Sequence, residues 1–223
     1  KFKVAVVDFC APDAAKRFTD SLKTTGFAVL TNHPVSNELI QGVYAEWRDL
    51  MITLNEHAAT AQLPPDSAAG SASAGNLAEK YYRSQESQDG YFPMAVAETA
   101  KGASVQDLKH YFQCYFPHGK FPSEEASGGA QELWSGLIGL GRTLVSWIDE
   151  HMPPEIRATI QQKIGAGRTL SDCVSDARTM LRILHYPGYA EADAAPGAVR
   201  AAAHEDINLI TVLPAGSARG LQV

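Results

Sequence analysis

Hydrophobic and polar positions change period several times along the chain. "KVAVVDF" (3–9) is short and β-branched, which predicts a strand. "PDAAKRFTDSLKTTG" (12–26) then places Phe18 and Leu22 four residues apart and ends on Gly26, predicting a helix. "FAVLTNH" (27–33) reads as a second strand. Pro34 and Ser36 open a long helix in which Leu39, Ile40, Val43, Trp47, Met51 and Leu54 recur at helical spacing and form a core-facing stripe. From 58 to 74 the chain turns to Ala, Ser, Gly and Pro and predicts a loop.

"GYFPMAVAETAKGASVQDLKHYFQCYF" (90–116) alternates aromatic and polar residues before a helix expected from Ser104. "PSEEASGG" (122–129) is an exposed connection, 130–152 a long amphipathic helix, and Pro153 and Pro154 start a shorter one that runs to Gly165. Strands then take over, at "TMLRILHYP" (179–187) and "DINLITVLP" (206–214), joined by an Ala/Pro/Gly connection. A sheet of about four or five strands is too small to close a barrel or sandwich and leaves an apolar face and an open edge in water. The printed residues are therefore expected to be part of a longer functional chain.

Composition narrows the function more than the fold. With 223 residues and 45% hydrophobic residues the chain can bury a core, and its net charge of −6 without a dense Lys/Arg cluster argues against nucleic acid or an anionic membrane as partner. Cys10, Cys114 and Cys173 are widely spaced and form no CxxC pair, so neither a disulfide framework nor a thiolate zinc site is indicated. No stretch approaches the roughly 20 apolar residues of a membrane helix. A cytoplasmic monomer or weak homo-oligomer acting on a small molecule is expected.

The candidate chemistry lies in "RAAAHEDINLITVLP" (200–214). In an extended segment His204 and Asp206 project to one face and Glu205 to the other, with the two Cα atoms roughly 6–7 Å apart. An imidazole and a carboxylate at that spacing can share one divalent cation, and two His and one carboxylate form the facial triad of non-haem Fe(II) oxygenases. Asn208, in phase with both, either supports them or satisfies the strand end.

Four blocks carry a family resemblance. "VVDFCAPDAAKRFTDSLKTTGFAVLTNHPVSNELI", "GYFP…ETAKGASVQDLKHYF", "LRILHYPGY" and "HEDINLITVLPAGSARGLQV" stand in the order of, and resemble, corresponding segments of the isopenicillin-N-synthase-like, 2-oxoglutarate- and Fe(II)-dependent dioxygenases. The resemblance implies an α+β fold, a double-stranded β-helix (jelly roll) core flanked by N-terminal helices, with this chain ending partway through the core. Residues 1–175 would be a mostly helical N-terminal region lending strands 3–9 and 27–33 to the sheet, and residues 176–223 the first part of the jelly-roll domain.

The same resemblance implies the cofactor Fe(II), the co-substrate 2-oxoglutarate, and O2. His204 and Asp206 would be metal ligands, with the third ligand, a His, expected beyond Val223 together with the family's Arg that clamps 2-oxoglutarate. Tyr186 would contact the far carboxylate of 2-oxoglutarate, and Arg182, on the same strand face, would add a charged contact. Tyr82, Tyr91, Phe92 and Glu205 are candidates for the substrate pocket, with ordinary packing as the alternative for the three aromatics. His185 is out of phase with Tyr186, so one of the two must face away from the pocket. His33 is a structural residue of the family's "NHG" segment.

The implied reaction is oxidation of an unactivated C–H bond, by hydroxylation, desaturation or cyclisation, with release of succinate and CO2. Two alternatives stand beside it: an iron and O2 oxidase of the same fold that uses no 2-oxo acid, and a non-catalytic binding domain with an incomplete metal site.

Overall fold

A computed structural model describes residues 3–63, 75–96, 106–188 and 197–222. The predicted 58–74 loop and the segment from Ser104 fall partly outside these residues. Within them the chain is α+β and divides into two compact units, one of residues 1–40, 132–178 and 208–223, the other of residues 41–131 and 179–207.

In the first unit, β1 (Ala5–Asp8) and β2 (Ala28–Thr31) pair in parallel through α1 (Ala14–Thr25). A parallel pair needs a crossover of this length, since both strands must start from the same end. α1 stops where foreseen: Gly26 takes φ 78° and its N–H returns to the Leu22 carbonyl. Phe9 and Phe18 both pack on Trp147 of α4 (Gly129–His151), at centroid distances of 4.9 and 5.8 Å. α5 (Pro154–Ile164) follows α4, and the Asp149 carboxylate accepts the Leu170 and Ser171 N–H groups at 2.8 and 2.9 Å.

The second unit holds most of α2 (Asn37–Thr60), the short α3 (Leu77–Lys80) and an antiparallel sheet of β3 (Gly90–Phe92), β4 (His110–Tyr115) and β5 (Met180–His185), in the order β3–β4–β5. Ser36 accepts the Leu39 N–H at the start of α2, and the predicted stripe is buried except at Leu39. Trp47 packs edge-on against Phe112 of β4, with centroids 5.4 Å apart, and Phe92 stacks on Tyr111 at 4.7 Å.

Three expectations change. The helix expected from Ser104 has no described counterpart: 106–109 are irregular and His110–Tyr115 is the central strand of the sheet. Burial of aromatics on both faces overrides the helical reading. Strands 3–9 and 27–33 do not join that sheet but pair with each other. Residues 206–214 form no strand, because β-rich sequence becomes a strand only against a hydrogen-bonding neighbour and among the described residues none pairs with it. Ile207 and Leu213 stand exposed.

Gly90 sets the entry to β3. Its φ of 100° and the position of the Tyr81 carbonyl oxygen, 2.6 Å from where a Cβ would sit, leave room for glycine alone. Gly90→Ala is expected to lower the urea midpoint by the equivalent of about 1–3 kcal/mol. An unchanged midpoint would refute that backbone constraint.

Candidate functional site

Ala201, Ala202 and Ala203 bring only methyl groups to the segment before His204, so main-chain bonds fix it. The Ala202 carbonyl lies 2.9 Å from Nδ1 of His204. A carbonyl oxygen can only accept, so Nδ1 carries a hydrogen, and in the neutral ring Nε2 is then the nitrogen with the lone pair. Nε2 lies 3.5 Å from Asp206 Oδ1. Both side chains are about half exposed, at 53% and 52%. An imidazole tied at Nδ1 to a backbone carbonyl, with Nε2 beside a carboxylate, can offer a cation two donors when the ring is neutral.

The structure thus brings together the two residues that sequence spacing put on one face. Glu205 between them is exposed. The Asn208 amide donates to Thr211 Oγ1 at 2.9 Å within its own turn. Among the described residues no group of three or more His, Cys, Asp or Glu stands where it could hold a metal ion.

Tyr186 follows β5 and is partly exposed, and burial of the rest of the ring pushes its phenol up, so the hydroxyl stays a neutral donor. Arg182 faces Gln113 across the β4–β5 ladder. Its Nε and Nη2 donate to Gln113 Oε1 at 2.9 and 2.5 Å, and its guanidinium lies 4.7 Å above the Tyr111 ring. Tyr91 and Phe92 are fully or almost fully buried, which fits the packing alternative foreseen for them. Tyr82 is partly buried and bridges to Tyr91 through the backbone.

Sequence reasoning missed a buried relay. His110 and His185 are register partners, with His110 Nε2 2.7 Å from His185 Nδ1, and the Tyr91 hydroxyl is 3.1 Å from His110 Nδ1. His185 is therefore the neighbour that faces away from Tyr186. Neutral His110 carries one ring hydrogen and so donates at one nitrogen and accepts at the other. Burial, with a smaller push from His185, lowers His110 to about 4, and burial lowers His185 as well. The three thiols also follow expectation: Cys10, Cys114 and Cys173 are free, and burial pushes the Cys114 thiol far up.

No helix among the described residues is long and apolar enough to cross a membrane. No family model matches the chain. The chain is 26% identical over 223 residues to the proline hydroxylase buaE of Petromyces alliaceus, covering 91% of this chain and 58% of that one. Among solved structures it superposes on the Shewanella oneidensis protein named "Putative oxygenase" with a TM-score of 0.66 and 35% identity, over 94% of this chain and 63% of that one. It also matches a full-length Neurospora crassa protein solved in complex with alpha-KG, at TM-score 0.52 and 16% identity, covering 88% and 59% of the two chains. The chain thus spans about three fifths of the length of the relatives it matches. It resembles the 2-oxoglutarate-dependent dioxygenases, as its four sequence blocks imply and these relatives bear out.

The relay sets a pH dependence. The folded-state value of His110, about 4, lies below its ordinary 6.5. The unfolded chain therefore binds the proton first as pH falls, so this contribution is complete above 6.5 and is lost on acidification toward 4. Urea unfolding between pH 7 and 4 is expected to show a loss of up to about 3 kcal/mol from this group. His110→Gln should flatten that slope, and an equal slope in the variant would remove His110 as its source.

Proposed function

We propose that this chain is part of an Fe(II)- and 2-oxoglutarate-dependent oxygenase, cytoplasmic and monomeric or weakly oligomeric. It would oxidise an unactivated C–H bond of a small molecule. The observation that carries the reading is the His204–Asp206 pair, with Nδ1 committed to the Ala202 carbonyl and Nε2 open toward the carboxylate 3.5 Å away. The donor set fits ferrous iron: a neutral imidazole with its tautomer fixed and a hard carboxylate, both accessible. On this reading His204 and Asp206 are two ligands, and the third lies elsewhere in the protein. On the same reading the small antiparallel sheet and the segment that follows belong to a jelly-roll core.

Fe(II), when bound, supplies the open shell that ground-state dioxygen needs and coordination positions for a 2-oxo acid. The rest falls to the chain's own residues. His204 Nε2 and the Asp206 carboxylate would hold the ion. The Tyr186 hydroxyl, kept protonated by partial burial, donates to the far carboxylate of 2-oxoglutarate. Arg182 braces β5 through Gln113 and Tyr111 beside it and adds positive charge to that end of the co-substrate site. Glu205, exposed between the ligands, and Tyr82 remain candidates for contact with substrate. In the overall reaction 2-oxoglutarate and O2 give succinate and CO2, one oxygen atom passing to succinate and the other to the substrate or to water.

Two measurements test this. Succinate release from 2-oxoglutarate is expected to require Fe(II) and to rise with substrate across a panel of amino acids, small acids and phenolics. Oxygen uptake that needs no 2-oxoglutarate would replace the reading with an iron oxidase. Asp206→Ala is expected to lose Fe(II) binding while shifting the unfolding free energy by under about 0.5 kcal/mol, as an exposed side chain adds little to packing. Full activity in that variant would remove Asp206 from the site.

A further inference from the structure

Asp107 and Lys109 stand just before β4, and both are buried, with side chains 2% and 9% exposed. Lys109 Nζ donates to Asp107 Oδ2 at 2.7 Å. A carboxylate this deep is tolerable only with such a partner and with its second oxygen also bonded. Oδ1 takes its bond from the Ala202 N–H, at 3.0 Å. Ala202 is the residue whose carbonyl receives the His204 Nδ1 hydrogen. One residue is thus gripped at its N–H by a buried ion pair and at its carbonyl by the imidazole.

Other bonds hold the same stretch, Leu108 N–H to the Val199 carbonyl at 2.9 Å and Arg200 to the Pro187 carbonyl at 2.7 Å. Neither reaches Ala202. The Asp107 contact holds the N–H of the 201–202 peptide, and the next peptide, 202–203, carries the carbonyl that meets the imidazole, so the two are linked through the one Cα of Ala202. The Asp107 charge also makes that N–H bond stronger than a neutral one.

We propose that the buried Asp107–Lys109 pair is a positioning device for His204, fixing through Ala202 the tautomer and direction in which Nε2 meets a divalent cation. This rests on the reading of His204 as a metal ligand. Neither residue touches the cation. The ion pair supplies a charged acceptor where apolar surroundings would otherwise leave an unpaired N–H, and Lys109 allows that acceptor to be buried.

Two double variants of the intact protein separate the acceptor from the charge. Asp107→Asn/Lys109→Met keeps a side-chain carbonyl for the Ala202 N–H and removes both charges. Asp107→Leu/Lys109→Met removes the acceptor as well. Nitrogen-15 shifts of metal-free His204 report its tautomer, and a Co(II) titration reports affinity.

The Asn/Met form is expected to keep the Nδ1–H tautomer and to bind Co(II) within about threefold of wild type. The Leu/Met form is expected to drift to the Nε2–H tautomer and to bind about 10- to 100-fold more weakly. A folded Leu/Met form with wild-type tautomer and affinity overturns the proposal, as does equal damage in both variants. If the Leu/Met form does not fold, Ala202→Pro, which deletes the N–H and leaves the ion pair, is read in its place with the same expectations. A wild-type protein that binds no Co(II) contradicts the metal reading instead, while the tautomer comparison still decides the role of Asp107.

Discussion

The pairing of β4 with β5 is the constraint on which the second unit depends. Six register pairs, from His110↔His185 to Tyr115↔Met180, tie segments about 70 residues apart. That ladder sets Arg182 against Gln113 and His185 against His110. It also fixes where the chain leaves the strand at Tyr186. Just before β4 comes the Asp107–Lys109 pair that reaches Ala202, so one long-range register sets both the His110–His185 contact and the start of the segment that bonds Ala202. Loop closure over that separation costs entropy, which the aromatic packing of Trp47, Phe112, Phe92 and Tyr111 offsets.

Local features were legible from the residues. The αL stop at Gly26, the Ser36 start of α2, the Pro153–Pro154 opening of α5 and the helical stripe through Trp47 and Leu54 each follow from chemistry within a few residues. The HxD spacing likewise placed His204 and Asp206 together, because alternation in an extended segment needs no partner. What could not be read was pairing. "DLKHYF" has apolar and polar residues at spacings that suit a helix, and only its neighbours on both sides make His110–Tyr115 a strand. In the opposite sense, "NLITV" has strand composition and no described partner.

The same limit explains the long-range polar contacts that were missed. His110, His185 and Tyr91 lie on three strands, and Asp107 is 95 residues from Ala202. No periodicity links such positions. Tyr91 and Phe92 illustrate a related limit: an aromatic pair looks the same in sequence whether it lines a pocket or fills a core, and the structure shows both buried on β3.

The central claim is that His204 and Asp206 share one ferrous ion. An anaerobic crystal structure of the intact protein with Fe(II) tests it most directly. The account predicts one metal ion bonded to Nε2 of His204 and to a carboxylate oxygen of Asp206, with Nδ1 still on the Ala202 carbonyl. An iron ion held elsewhere, or these two side chains turned apart with no ion between them, would contradict it.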